Sequence, residues 1–274
     1  MILNKLNNQI NNKKSFLCIG LDIDKNKIPK SLLKFDDPIF EFAKRIIDST
    51  HKYAVAYKPN IAFFEAHGAD GFKSLDKIIN YLNENYPEIF TIADAKRGDI
   101  GNTSKMYANA FLKKLKFDSI TVSPYMGSDS VEPFLSFENK VVFLLALTSN
   151  TGSNDFQELD LHGNNKLYQK VIETSRTWKD SNRIMYVVGA KNTKEIGKIR
   201  NMVPNSYLLI PGVGAQGGNM AKICKYGLDK NLKLIINSSR SIIYASANDD
   251  FAKCAADEAK KIKDEMEKYI NALQ

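Results

Sequence analysis

The 274-residue chain predicts an α/β fold, a single-domain (β/α)8 TIM barrel, on three observations. Short β-branched or apolar runs recur about every 30 residues. Most are followed by a segment of helical period, the alternation that gives a parallel sheet with crossover helices. Eight such repeats fill the length this barrel needs and leave little for a second domain.

Strands are expected at 15–22, 54–58, 90–94, 119–123, 140–147, 183–188, 207–210 and 233–237. The runs VVFLLAL, IMYVV and LKLII are continuously apolar, as strands buried on both faces should be. Helices are expected at 38–53, 71–86, 102–115, 167–179, 193–201 and 251–273. No Pro/Gly/Ser linker divides the chain, so one domain is expected over 1–274. The rival architecture, a doubly wound open sheet, usually carries a GxGxxG turn after its first strand. Here that strand ends Gly20-Leu21-Asp22-Ile23-Asp24.

Apolar residues make up 43% of the chain, and a fold of this size buries roughly 70 to 75% of its extended surface without help from disulfides. Cys18, Cys224 and Cys254 are an odd, scattered set with no CxxC or Cys/His spacing. That excludes a disulfide framework, argues against zinc and fits a reducing, cytoplasmic location. The longest apolar run is seven residues and the N-terminus, MILNKLNNQINNKK, is polar, so neither a membrane span nor a secretory signal is expected. Net charge is +8, yet only six basic residues are Arg, and the lysines are spread without interleaved aromatics. A solvated lysine surface therefore explains the charge better than a nucleic-acid groove.

Active groups in such a barrel come from the carboxyl ends of strands and the loops just beyond. The first strand ends at Asp22, the second at Lys58 and the third at Asp94, with Lys96 and Asp99 close behind; the eighth leads into Arg240. Acids and amines at one mouth are costly unless they pair or bind a ligand. The densest stretch is DAKRGDIGNT over 94–103. Strand alternation would turn Asp94 and Lys96 to one side, and Gly98 and Gly101 allow the chain to bend Asp99 back. With Lys58 added, two carboxylates and two ammoniums can alternate, an array that keeps its lysines protonated and offers a proton donor. A purely structural ion-pair network at the rim is the alternative.

The run PGVGAQGG over 211–218 follows the seventh strand, and Ser238-Ser239-Arg240 follows the eighth. Loops seven and eight form the recurrent phosphate site of these barrels, glycines admit backbone amides to an anion, and Arg adds a charge-assisted contact. His51, His67 and His162 share no spacing, and no metal constellation is present. Trp178, Phe63 and Phe64 read as packing. Thr148 and Ser149 close the fifth strand, where a hydroxyl serves a ligand or a turn.

In order along the chain, these residues resemble the orotidine 5'-phosphate decarboxylases. The resemblance is carried by Asp22, Lys58-Pro59-Asn60 with Phe63-Phe64-Glu65, DAKRGDIGNT, TVSPYMG over 121–127, LTSN over 147–150, VVGA over 187–190, PGVGAQGG and SRSI over 239–242. KPN, TVSPYMG and the segment 149–166 are similar to the longer-loop branch of that family. The resemblance implies a homodimeric barrel without metal or cofactor that converts orotidine 5'-monophosphate to uridine 5'-monophosphate and CO2. It implies that Lys58, Asp94, Lys96 and Asp99 form the family's charge array, with Asp99 and Thr103 delivered to the neighbouring subunit's site. By the same resemblance Asp22 and Lys58 contact ribose hydroxyls, Ser149 the pyrimidine amide, Gln216 with Gly217 the base and phosphate region, and Arg240 the phosphate. The competing readings are a magnesium-dependent sugar-phosphate decarboxylase or lyase on the same barrel, against which Lys58 argues, and a basic nucleic-acid-binding protein with steep salt dependence.

Overall fold

The structure, a computed structural model, describes residues 2–163, 165–191, 193–212 and 219–273. Its strands are β1 (Leu17–Leu21), β2 (Ala56–Pro59), β3 (Phe90–Arg97), β4 (Ser119–Val122), β5 (Val141–Leu147), β6 (Ile184–Val188), β7 (Leu208–Pro211) and β8 (Leu234–Ser238). They close into one barrel in chain order, as the alternating pattern predicts. Helices α1 (Ile2–Lys13), α2 (Pro38–Thr50), α3 (Ile61–Glu65), α4 (Gly68–Asn85), α5 (Gly101–Ala108) and α6 (Ser128–Leu135) accompany the first half of the sequence. Helices α7 (Leu167–Ser175), α8 (Thr193–Met202), α9 (Met220–Gly227), α10 (Arg240–Ile243) and α11 (Phe251–Asn271) accompany the second. Contacts are densest within two compact units, Met1–Ala95 with Leu115–Phe117 and Asn237–Gln274, and Lys96–Lys114 with Asp118–Ile236.

In the first unit β1 and β2 pair in parallel with Gly20 opposite Lys58, and β2 pairs with β3 through Ala56–Phe90 and Tyr57–Thr91. Every residue of β1 and β2 is buried, which is why neither run alternates with polar residues. Pro38 opens α2 behind the cap Asp37, whose carboxylate accepts from Phe40 N and is further held by Ser74 Oγ at 2.7 Å and Lys77 Nζ at 2.9 Å. The buried stripe Ile39, Phe42, Ala43, Ile46 and Ile47 faces α11, where Phe42 stacks on Phe251 with centroids 4.9 Å apart. Helix α2 stops at Thr50 rather than 53, and Lys13 Nζ donates to the carbonyls of His51 and Ala54 there. Helix α1 was not expected: its sequence is polar, and only Leu6, Gln9 and Ile10 are buried.

In the second unit β4, β5, β6 and β7 pair successively in parallel, with a register shift between Leu145 and Leu147. Arg200 at the end of α8 is 6% exposed and donates to the carbonyls of Gly227, Val203, Pro204, Ser206 and Lys233. One guanidinium thus satisfies the chain ends around α8, α9 and the start of β8. Helix α5 continues as a π-helical turn over Asn109–Lys114, and α7 ends at Ser175 rather than 179.

Candidate active site

Strand β2 places Lys58 at its third position and β3 places Asp94 at its fifth; Asn60 and Asp94 form a parallel bridge that sets the height of the two strand ends. Lys58 Nζ donates to Asp94 Oδ2 at 2.5 Å, with the side chains 5% and 10% exposed. Burial by itself pushes the Lys58 ammonium down, but Asp94 and Asp22 outweigh it and lift the group to about 12. The same enclosure drives the Cys18 thiol up to about 12, so this buried β1 residue stays a neutral thiol beneath the pair. Asp22 Oδ1 is buried and has no hydrogen-bond partner among the described residues, an acceptor that a donor group on a ligand would satisfy.

Beyond Asp94 the strand departs from the alternation expected of it. Lys96 has φ +49°, a left-handed conformation that costs a non-glycine residue roughly 1 to 2 kcal/mol. Plain strand alternation from Asp94 to Lys96 is therefore corrected, because the pleat breaks at Lys96 itself. The strain is held in place: Lys96 N donates to Thr121 Oγ1 at 2.8 Å, and Ser123 N donates to Arg97 O at 2.8 Å. The Arg97 guanidinium lies 5.2 Å from the Tyr107 ring centroid and 5.4 Å from that of Phe111. Strained backbone at a charged, exposed residue is a signature of a functional position.

The remaining expected residues fall as follows. Gly101 takes φ +52° and turns the chain into α5, with half-buried Asp99 just before it and Thr103 exposed in its first turn. Asp99 Oδ1 accepts from Ile100 N at 2.7 Å. At the end of β5, Thr148 is committed to its own loop: its N–H donates to Gln157 Oε1 at 2.7 Å and its hydroxyl to Asn150 Oδ1 at 2.6 Å. Ser149 instead lies against Gly189 at the end of β6, where a Cβ would sit 2.0 Å from Ser149 Oγ. Arg240 is exposed and opens α10. Gly212 has φ +93°, and Gln216 and Gly217 lie outside the described residues.

The structure thus brings Lys58 and Asp94 into contact, with Asp22 in electrostatic reach of the ammonium. Sequence reasoning missed three supporting residues: Thr121, which holds Lys96; Gly189, which admits Ser149; and Cys18, noted only for what it excludes. Thr121 and Gly189 lie inside the quoted runs TVSPYMG and VVGA, so the signal was present without its reason. Of the smaller signals, Phe64 is 1% exposed and His51 binds the Asp48 carbonyl through Nδ1 at 2.9 Å, both packing roles. Among the described residues no group of three or more His, Cys, Asp or Glu is arranged to hold a metal, and no helix is long and apolar enough to cross a membrane.

A family model described as Orotidine 5'-phosphate decarboxylase / HUMPS family matches residues 15–253. A protein of Flavobacterium johnsoniae named orotidine 5'-phosphate decarboxylase is 59% identical over 272 residues, covering 99% of each chain. A protein of the same name from Christiangramia forsetii is 57% identical over 273 residues, covering 100% of each. Among solved structures, Leishmania donovani OMP decarboxylase superposes with a TM-score of 0.79 at 37% identity, covering 96% of this chain and 98% of that one.

Proposed function

The chain belongs to the orotidine 5'-phosphate decarboxylase / HUMPS family, and we propose from that premise how its own residues carry out the reaction. It is a carboxy-lyase of pyrimidine biosynthesis that converts orotidine 5'-monophosphate to uridine 5'-monophosphate and CO2. Loss of CO2 from C6 leaves an sp2 carbanion that the ring delocalises poorly, so the developing charge must be met by charge.

The observation that carries the mechanism is the buried Lys58–Asp94 pair. An ammonium held at about 12 remains a cation throughout the physiological range and fixes Asp94 as a carboxylate beside it. Lys96, two residues further along the same strand, supplies the cation and the proton for C6, and Asp94 faces the departing carboxylate. Asp22 and Lys58 take the ribose hydroxyls, Asp22 through its unpartnered Oδ1. Ser149 takes the pyrimidine amide, a role supported by the engagement of neighbouring Thr148 within its own loop. Arg240 takes the phosphate together with Gln216 and Gly217. The reaction needs no metal or cofactor in this reading, and the magnesium-dependent lyase is disfavoured by an ammonium already seated 2.5 Å from Asp94, where a cation would have to sit.

The working form is a cytoplasmic homodimer of single-domain chains in which Asp99 and Thr103 act in the partner's site. Support comes from Ile100 and Met106, apolar side chains 56% and 59% exposed on either side of Thr103, a surface that a second copy would cover. The direct test is the fall in absorbance when orotidine 5'-monophosphate is given to purified, chelator-treated protein. No fall at any enzyme concentration overturns the reading.

A further inference from the structure

Arg240 is the first residue of α10, and its position depends on the residue before it. Ser239 stands at the N-terminal cap of α10, and its carbonyl accepts from Ile242 N at 2.9 Å and Ile243 N at 3.0 Å. Its side chain occupies space that β1 leaves open. A Cβ on Gly20 would lie 1.9 Å from Ser239 Oγ and 2.9 Å from Ser239 Cβ. A rotamer change moves the hydroxyl, but Cβ is fixed to the backbone, so any side chain at position 20 must displace residue 239 itself. Gly20 does not adopt a positive φ, so the glycine is required by this close approach and not by its dihedral angles.

A second residue fixes the hydroxyl in that gap. Asn237, 5% exposed, donates from Nδ2 to Ser239 Oγ at 3.1 Å, and its Oδ1 would lie 3.2 Å from the same Cβ. That Oδ1 is buried with no hydrogen-bond partner among the described residues, a cost that an apolar residue at 237 would avoid. Ser238 does not share the task, since its hydroxyl pairs with Ser241 at 2.8 Å.

We propose that Gly20 and Asn237 are positioning residues that set Arg240 for the substrate phosphate by seating Ser239 in the gap over β1. The proposal rests on the phosphate-binding reading of Arg240. Because Gly20 also pairs with Lys58 in register, the test must separate an effect on Arg240 from an effect on the ion pair.

The experiment is a double-mutant cycle read in kcat/KM for orotidine 5'-monophosphate. Gly20→Ala lowers kcat/KM by about tenfold or more in the wild-type background and by less than about twofold in the Arg240→Ala background, because a misplaced group that is absent cannot be misplaced further. The compensating Gly20→Ala/Ser239→Gly protein, which removes the atoms the new methyl meets, recovers most of the loss. Asn237→Ala, which adds no atom, gives a smaller loss of about threefold that also vanishes without Arg240. If Gly20→Ala fails to fold, the Asn237→Ala cycle decides. Equal losses in both backgrounds, or no recovery with Ser239→Gly, overturn the proposal and place the effect at Lys58. An Arg240→Ala protein with unchanged kcat/KM overturns the phosphate reading itself and this inference with it.

Discussion

Lys58 and Asp94, on neighbouring parallel strands, share a 2.5 Å hydrogen bond while exposing only 5% and 10% of their side chains. Such a pair gains strong attraction and also carries the desolvation of both ions, so breaking it and replacing it have different consequences. Asp94→Asn leaves an ammonium enclosed without its carboxylate, and destabilisation of about 3 to 5 kcal/mol is expected. Lys58→Met/Asp94→Leu, which removes both charges, is expected near or above wild-type stability and without activity. Denaturant unfolding of the three proteins checks this; equal losses for single and double variants would contradict a tightly coupled pair.

The pH dependence of the same pair has a definite sign. The folded Lys58 pKa, about 12, lies above its ordinary 10.5, so its contribution is fully present below about 10.5 and is lost as pH rises toward about 12. The stability difference between wild type and Lys58→Met should therefore be flat from about pH 6 to about pH 9 and shrink only above about pH 10.5. Unfolding free energies across that range test it. A rise in that difference with increasing pH below about 10.5 would mean that burial, not Asp94 and Asp22, dominates the ammonium.

Lys96 separates stability from activity. Its φ of +49° suits glycine, so Lys96→Gly should be more stable than Lys96→Ala by about 1 kcal/mol once the greater chain entropy of unfolded glycine is deducted. Both variants should lack turnover and still bind uridine 5'-monophosphate, since the phosphate and sugar contacts are elsewhere. Melting temperatures and calorimetric titration report the two halves independently. Intact turnover in either variant would remove Lys96 from the chemistry.

The strands were legible because burial on both faces writes a continuous apolar run, as in Val141–Leu147 and Ile184–Val188. Helix α1 was not, because three buried residues in twelve leave too narrow a stripe to read against a polar background. Helix α6 was hidden by Pro133, which ordinarily ends a helix and here lies within one. Lys58, Asp94, Lys96 and Arg240 could be picked out as charges at strand ends, where isolated ions are improbable without a purpose. Gly20 and Gly189 could not, since what they answer to is a side chain distant in sequence, and Asn237 could not, since its bond to Ser239 two residues on gains its meaning only from Gly20. The left-handed turn at Lys96 was likewise invisible, because Thr121, distant in sequence, holds it.

The proposed sharing of sites between subunits has a test that stability cannot mimic. If Asp99 acts in the partner's site, Lys96→Ala and Asp99→Ala homodimers are each inactive at both sites. A heterodimer of the two then carries one site with both defects and one with neither. Mixing the proteins under conditions of subunit exchange should therefore restore activity, approaching a quarter of the wild-type value per site because about half the dimers are mixed and each holds one intact site. If Asp99 serves its own chain, every site in the mixture keeps exactly one defect and no activity returns. Exchange itself is checked by mass spectrometry of differently tagged chains, so that a silent mixture with proven heterodimers assigns Asp99 to its own barrel.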